Sequence, residues 1–168
     1  MAYQTENNLL EAFGGESKAN RRYSLFSEKA EKEGFPGVAK LFRAVAEAET
    51  VHARNHLNAM DAIGSTKDNL MAASMGEQQE FTKMYPQFIQ TADEEMNERA
   101  KQTFDWANKV EKIHFGYYEA ALKTVREGKK PEEAVYNVCQ VCGNTVTGAA
   151  PDKCPVCGSA GRVFKKIE

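Results

Sequence analysis

The chain has 168 residues, of which 42% are hydrophobic, enough for one medium-sized domain and a small appendage. Its 22 Lys and Arg residues are balanced by 24 Asp and Glu residues, so it lacks the basic excess of phosphate-binding surfaces. We therefore expect no nucleic-acid partner. The sequence shows no secretory leader pattern and no apolar run of about 18 residues, which predicts a soluble cytoplasmic protein that does not enter membranes.

Four long segments repeat apolar residues every three or four positions, which predicts four helices. Glycine and proline mark where they end and begin. The predicted helices run from Thr5 to Glu33, from Pro36 to Gly64, from just after Thr66 through Phe88, and from about Ala100 to just before Gly128. Short links within each pair favour an antiparallel four-helix bundle.

The two helix pairs form an internal repeat with one extra residue in the second half. Glu16 precedes Glu49 by 33 residues, and Glu77 precedes Glu111 by 34. The extra residue falls between Glu77 and Tyr85. A single insertion inside a helix is most easily accommodated as a π-bulge, which often marks a functional site. The sequence therefore predicts a π-helical turn there.

Acidic residues and histidines share the predicted inner faces of these helices. Glu-x-x-His occurs twice, at Glu49 to His52 and at Glu111 to His114, in register with the apolar stripes. The first and third helices add acids to the same interior. These are Glu16, Glu77 and Glu80.

Five inward glutamates require cations, because a buried, ionised and unpaired carboxylate costs several kcal/mol or more. Two ferrous ions would offset four of the five charges, and Tyr23 and Tyr85 are candidates to hydrogen-bond the remainder. One Glu from each of two helices plus Glu-x-x-His from each of the other two is the ligand set of ferritin-like dimetal proteins. The pattern predicts a two-metal site.

Four cysteines lie within the last 30 residues as two Cys-x-x-Cys pairs, each followed by glycine. This favours one metal in a tetrathiolate cage over disulfides. The polar, proline-containing segment 127–133 is typical of a linker. We predict a mainly α protein with a ferritin-like four-helix bundle in 1–128, a linker in 129–135 and a small β-rich rubredoxin-like domain in 136–168. Its β-prone stretches are 135–138 and 162–167, and without its metal the domain is too small to hold together.

These residues together resemble the rubrerythrin family over essentially the whole chain. The matching segments are FGGES, AEAETVHARNH, GEQQEFTKMYP, VEKIH, CQVCG and CPVCG. The resemblance implies a non-haem di-iron peroxidase that reduces hydrogen peroxide to water in oxidative-stress defence. It also implies electrons from NAD(P)H, delivered by a reductase and a donor such as rubredoxin.

The resemblance implies a role for each metal-binding residue. Glu49 and Glu111 would bridge the two irons, Glu16 would be a terminal ligand of the first, and Glu77 and His114 would bind the second. One further iron would be held by the tail, in a site that zinc also fits. Its ligands would be Cys139, Cys142, Cys154 and Cys157.

Four residues match positions with a catalytic role in the family. Glu80 and His52 resemble a pair that exchanges as a ligand of the first iron with its redox state. Tyr23 and Tyr85 resemble tyrosines that hydrogen-bond ligand carboxylates. The family also implies a homodimer in which the tetrathiolate centre of one subunit lies near the partner's di-iron site. Helix exchange between subunits occurs in the family, and the sequence leaves it open here.

Functions of other classes use part of this pattern. A ferroxidase or iron store would use the same bundle but has no evident need for an electron-carrying tail. A zinc-ribbon adaptor would use the four cysteines, yet would not explain five inward carboxylates. A di-iron oxygenase would need an organic-substrate pocket, to which nothing in the sequence points.

Overall fold

The computed structural model describes residues 3–168 and divides into two compact units, one up to Gly64 and one from Ser65 onward. The first unit is a hairpin of two helices, α1 (Tyr3–Lys32) and α2 (Pro36–Ala59). The second unit holds further helices and a small sheet. Its helical elements are α3 (Thr66–Gln79), a π-helical turn (Glu80–Met84), α4 (Tyr85–Glu94) and α5 (Glu98–Arg126). Among residues 3–168, no helix is both long and apolar enough to cross a bilayer.

The turn between α1 and α2 follows the predicted signals. Gly34 adopts a φ of +81°, which glycine tolerates without steric cost, and Pro36 occupies the first turn of α2. However, α2 ends at Ala59 rather than at the predicted Gly64. Asp61 takes a left-handed φ of 49°, and the N–H of Ala62 bonds back to the carbonyl of Leu57 at 3.0 Å. This C-terminal cap closes the helix early.

Small residues form the contact between α1 and α2. Ala30, Ala39 and Ala46 are buried, and short side chains let the two backbones approach closely. Asn20 Nδ2 donates to the carbonyl of Ala46 at 2.7 Å and to Thr50 Oγ1 at 2.8 Å. These bonds fix the register of the hairpin without a large apolar core.

Larger apolar side chains of the first unit remain at the surface of the chain. Leu41 is 62% exposed, and Leu10 is 54% exposed. Others exposed in this unit are Leu25, Phe26, Phe35, Val38, Val51 and Ile63. The first unit therefore presents more apolar surface than isolated exposed residues would give.

The predicted π-helical turn is confirmed. It spans Glu80–Met84, and the N–H of Tyr85 bonds to the carbonyl of Glu80, five residues earlier. Thr82 Oγ1 donates to the carbonyl of Gln78 at 2.5 Å. The extra residue is thus absorbed inside a continuous helical segment, as the repeat spacing indicates.

Helices α3 and α4 pack along α5. Val110 and Leu122 of α5 are each 2% exposed. Ser74 is also buried, and its hydroxyl donates to Glu119 Oε1 at 2.5 Å across the α3–α5 contact. The rings of Phe88 and Phe104 lie 5.5 Å apart, which extends this contact through α4.

The C-terminal part of the second unit is a three-stranded antiparallel sheet in the order β2-β1-β3. Its strands are β1 (Tyr136–Cys139), β2 (Thr145–Thr147) and β3 (Phe164–Ile167). The stretches predicted as β-prone overlap β1 over 136–138 and contain all of β3, whereas β2 was not predicted. Gly143 and Gly158 each follow a cysteine pair with a positive φ, and their N–H groups bond to the carbonyls of Cys139 and Cys154. The two cysteine pairs therefore form equivalent tight turns.

Deleting Thr82 should leave the fold and its thermal stability nearly unchanged. Removing the extra residue lets regular helical bonding resume while α3 and α4 keep their faces on α5. We expect a Tm within about 3 °C of wild type, equivalent to about 1 kcal/mol. Circular dichroism thermal melts provide the measurement.

Deletion of Ala72 is the matched control, because Ala72 is exposed within regular α3. That deletion rotates part of the helix away from α5 and should lower Tm by about 5 °C or more. An equal fall in Tm for the two deletions would show that the π-helical turn does not accommodate an inserted residue.

Candidate metal centres

The first unit brings together one group of metal-binding side chains. Glu16 on α1 and Glu49 and His52 on α2 each offer a donor atom, and these atoms lie within 4.8 Å of one another. Residues three apart share a helix face, which places Glu49 Oε2 2.9 Å from His52 Nδ1. The His52 side chain is 55% exposed, whereas that of Glu49 is 14% exposed. Two carboxylates and one imidazole form half of a dimetal ligand set.

The second unit repeats this arrangement. Donor atoms of Glu77 on α3 and of Glu111 and His114 on α5 also lie within 4.8 Å of one another. His114 Nδ1 is 2.8 Å from Glu111 Oε2 and 3.9 Å from Glu77 Oε1. All three side chains are less than 30% exposed, since their exposures are 19%, 17% and 27%. The internal repeat in the sequence is therefore a repeat of ligand groups.

The pKa values of the second group reflect burial and the closeness of two carboxylates. Burial, followed by the charge of Glu111, raises the pKa of Glu77 from 4.5 to about 7. The hydrogen bond to Glu111 raises the pKa of His114 above 6.5, although burial opposes this. The metal-free group therefore holds protons near neutrality, where a cation would serve the same purpose.

Glu80 and Tyr85 lie beside this second group without joining it. Burial and the charge of Glu111 raise the pKa of Glu80. Burial, then the charge of Glu80 and more weakly those of Glu111 and Glu77, raises the pKa of Tyr85. Glu80 is not among the residues whose donor atoms lie mutually within 4.8 Å. It sits at the start of the π-helical turn, close enough to feel the ligand charges.

Tyr23 has a different environment. Its ring packs near Phe26 and Phe42, with centroid distances of 6.2 and 6.1 Å. Within residues 3–168, neither Tyr23 nor Tyr85 hydrogen-bonds a carboxylate through its hydroxyl. The hydrogen bonds that the resemblance implies for these two tyrosines stay a prediction.

The four cysteines converge at the end of the sheet. All are free thiols, and their sulfur atoms lie within 4.8 Å of one another. Cys139 Sγ is 3.7 Å from Cys157 Sγ, and Cys142 Sγ is 3.6 Å from Cys154 Sγ. A tetrahedron of sulfurs about 2.3 Å from a central ion has edges of about 3.8 Å. The spacing therefore fits a tetrathiolate metal site.

The surroundings of the cysteines differ from one sulfur to the next. Burial raises the pKa of Cys142. Burial also acts on Cys157, but hydrogen bonding with Ser159 and with neighbouring thiols outweighs it and lowers the pKa of Cys157 to about 6. Asn144 is 1% exposed, and its Nδ2 lies 3.7 Å from Cys154 Sγ. A thiolate at Cys157 gives an entering metal its first anionic ligand.

One contact of the second unit joins its two ligand groups. His114 Nε2 lies 3.0 Å from Thr145 Oγ1, and that hydroxyl donates to the carbonyl of Gly143 at 3.2 Å. Gly143 directly follows Cys142 in the chain. The hydroxyl oxygen can thereby accept from Nε2, and in that tautomer Nδ1 faces the carboxylates with a lone pair that a metal could take. Tyr117 supports the contact by donating to the carbonyl of Thr145 at 3.2 Å.

Thr145 was not predicted as a functional residue. It belongs to no motif, and 31 residues separate it from His114. The resemblance placed the tetrathiolate centre near the di-iron site of a partner subunit. That placement stays a prediction, and the second unit adds a contact of its own between Thr145 and His114 of the same chain.

Comparison with protein families identifies both parts of the chain. The family model described as "Rubrerythrin" matches residues 7–122, and the model described as "Rubrerythrin, rubredoxin-like domain" matches residues 138–165. This chain belongs to the rubrerythrin family. Rubrerythrin-2 of Clostridium acetobutylicum is 35% identical to it, covering 92% of this chain and 91% of the relative. Rubrerythrin of Porphyromonas gingivalis is 36% identical, with coverages of 98% and 90%.

Solved structures give the same family. The fully reduced, all-ferrous state of nigerythrin is 29% identical, has a TM-score of 0.56, and is matched over 97% of this chain and 86% of that one. The fold class predicted from the sequence is confirmed, with a ferritin-like domain followed by a rubredoxin-like domain. Rubrerythrins are di-iron proteins of oxidative-stress defence. The carboxylate and imidazole groups and the four sulfurs fit a di-iron centre and a rubredoxin-like iron.

The metal-free protein should become less stable as pH rises from about 4.5 to above 7. Glu77 holds its proton with a pKa of about 7 in the folded chain against 4.5 when unfolded, so deprotonation penalises the folded state across that window. The raised pKa of His114 acts in the same direction, because its stabilising charge is lost as pH rises through the folded value. Allowing for solvent screening, we expect the free energy of unfolding to fall by about 1 kcal/mol across this pH range.

Urea unfolding of the protein, freed of metal by a chelator, is measured at several pH values and gives the dependence of the free energy of unfolding on pH. Glu77→Gln should weaken this pH dependence. Glu132→Gln, at an exposed position in the predicted linker, should leave the pH dependence unchanged. Identical slopes for wild type and Glu77→Gln would show that Glu77 does not bind the extra proton.

Proposed function

We propose that this chain is a peroxidase that reduces hydrogen peroxide to water at a di-iron site, with electrons relayed through its tetrathiolate iron. Each peroxide takes two electrons and two protons and yields two water molecules. The electrons would come from NAD(P)H through a reductase and a donor such as rubredoxin. Family membership and the donor chemistry of the three ligand groups support this proposal.

The observation that carries the proposal is the contact of His114 with Thr145. It links a ligand of the helical site to the loop that holds Cys142 through the hydroxyl of Thr145 and the carbonyl of Gly143. A protein that only oxidises or stores iron has no need for such a link. A redox enzyme needs such a link, because the site must be reduced again after it has transferred electrons to the substrate.

Both units would contribute ligands to the di-iron site. We propose Glu49 and Glu111 as bridging ligands, Glu16 as a terminal ligand of one iron, and Glu77 with His114 as ligands of the other. When bound, two ferrous ions would supply the electrons for peroxide reduction, and a tetrathiolate iron would supply their replacements. The tetrathiolate iron would be held by Cys139, Cys142, Cys154 and Cys157.

Two further pairs of residues would adjust the site. We propose that Glu80 and His52 alternate as ligands of the same iron. Glu80 sits at the start of the π-helical turn, where the i to i−4 ladder is broken, and His52 is the most exposed side chain of its group. Tyr23 and Tyr85 would donate hydrogen bonds to ligand carboxylates once the full site is assembled.

Peroxide should oxidise the iron-loaded, anaerobically reduced protein faster than dioxygen does. We expect a ratio of about ten or more, which corresponds to a barrier difference of about 1.4 kcal/mol. Stopped-flow absorption with each oxidant gives the two rates, and the colour of the tetrathiolate iron reports electron return. Faster oxidation by dioxygen would favour a ferroxidase or an oxygenase, and a tetrathiolate iron that never changes oxidation state would exclude the relay.

Replacing Thr145 by valine should slow electron return about ten-fold, the scale seen when a partner of a metal-binding histidine is lost. Valine keeps the shape of the side chain but removes the oxygen between His114 and Gly143. The backbone carbonyl that accepts from Tyr117 is retained. Re-oxidation of the reduced tetrathiolate iron after a peroxide pulse is the readout.

Thr147→Val is the matched control, because Thr147 lies exposed on the same strand. Both variants should bind as much iron as wild type and show the same tetrathiolate spectrum. If Thr145→Val returns electrons as fast as Thr147→Val, the route does not pass through this hydroxyl.

A further inference from the structure

The two cysteine pairs are followed by residues that hold equivalent places in the backbone. Asn144 and Ser159 each stand two residues after the second cysteine of a Cys-x-x-Cys pair. The carbonyl of Asn144 accepts from the N–H of Cys139 at 2.9 Å. In the same way, the carbonyl of Ser159 accepts from the N–H of Cys154 at 2.7 Å. The side chains of Asn144 and Ser159 can therefore be compared directly.

The side chain of Asn144 is directed at a sulfur of the other cysteine pair. Its Nδ2 lies 3.7 Å from Cys154 Sγ, ten residues further along the chain. Asn144 is 1% exposed, and Cys154 is 2% exposed. Ser159 is only partly buried and stays beside its own pair, with its Oγ 3.3 Å from Cys157 Sγ. The amide of Asn144 thus connects the two cysteine loops across the cage.

Helix α5 helps to bury the loop that carries Asn144. A methyl group placed on Gly143 would lie 3.8 Å from Cγ1 of Val110, which is itself 2% exposed. The loop of the first cysteine pair therefore rests against the helix. A buried amide N–H group costs free energy unless it is hydrogen-bonded, and the sulfur of Cys154 supplies a partner. Away from water, such a bond is electrostatically stronger.

A hydrogen-bond donor at a thiolate sulfur favours the more negative form of a metal site. Four thiolates around a ferric ion carry a net single negative charge, whereas around a ferrous ion they carry a double one. The ferrous form therefore gains more from the donor. Hydrogen bonds to sulfur are among the features that set the potential of iron held by cysteines. A donor buried beside Cys154 should thus raise this potential.

We propose that Asn144 raises the reduction potential of the tetrathiolate iron through a hydrogen bond from its Nδ2 to the thiolate of Cys154. Asn144 acts through a metal ligand, so it is a positioning residue and not a catalytic one. The bond makes the iron easier to reduce by an electron donor. This inference rests on the iron-loaded tail of the proposed function and does not depend on the peroxidase reaction.

Replacing Asn144 by leucine removes the donor and nearly keeps the shape of the side chain. At an ambient potential near the wild-type midpoint, the ratio of ferrous to ferric tetrathiolate iron should fall about ten-fold. For a one-electron couple this corresponds to a potential lower by about 59 mV. A redox titration of the full chain, followed by the electron paramagnetic resonance of the ferric tetrathiolate iron, measures the ratio.

Gln140→Met is the matched control. Gln140 directly follows Cys139, is exposed, and its amide donates to the carbonyl of Val138 at 3.0 Å. This variant also loses an amide beside the cage and should keep the wild-type potential. If Asn144→Leu binds iron and keeps that potential, the inference is wrong. An equal fall in both variants would also overturn it, because the effect would then be one of general polarity.

A second measurement needs no variant and so does not depend on whether Asn144→Leu folds. The wild-type chain is prepared with an NMR-active cadmium isotope bound by the four cysteines. Spin coupling between cadmium and a side-chain N–H proton of Asn144 should be observed, because it is transmitted through the sulfur of Cys154. Absence of this coupling would contradict the hydrogen bond.

The outcomes separate this inference from the proposed function. A tail iron that is redox-active but has the same potential in wild type and Asn144→Leu removes this inference alone. If the four cysteines of the wild-type chain hold no redox-active iron, the proposed electron relay fails and this inference fails with it.

Discussion

Repulsion between clustered carboxylates is the interaction on which the other features depend. Each ligand group places two glutamates within 4.8 Å and backs one of them with a histidine three residues later. In the second group, burial and, after it, this crowding raise the pKa of Glu77 to about 7. A bound cation removes the repulsion and replaces the protons. Metal binding is therefore coupled to the stability of the fold as well as to its chemistry.

The small core of the α1–α2 hairpin follows from the same arrangement. Its interior contact consists largely of alanines and the polar bonds of Asn20, because the remaining face is given to Glu16, Glu49 and His52. Few large side chains are left to stabilise this hairpin alone. Ligand residues placed on this face thus reduce local packing, and metal binding by those residues would offset that loss.

Local signals explain what could be predicted from the sequence. Gly34 and Pro36 have strong conformational preferences, and the π-helical turn follows from counting residues between repeats. The end of α2 was misplaced because Asp61, not a glycine, adopts the left-handed conformation that closes the helix. The contact of Thr145 with His114 was missed because it depends on tertiary packing across 31 residues.

The division of ligands between two units has a consequence for electron transfer. Thr145, Gly143 and His114 all belong to the second unit, so the link between the two metal sites lies within one folding unit. The first unit, with Glu16, Glu49 and His52, contributes no atom to that link. The contact that joins His114 to the loop of Cys142 is therefore built by the second unit alone.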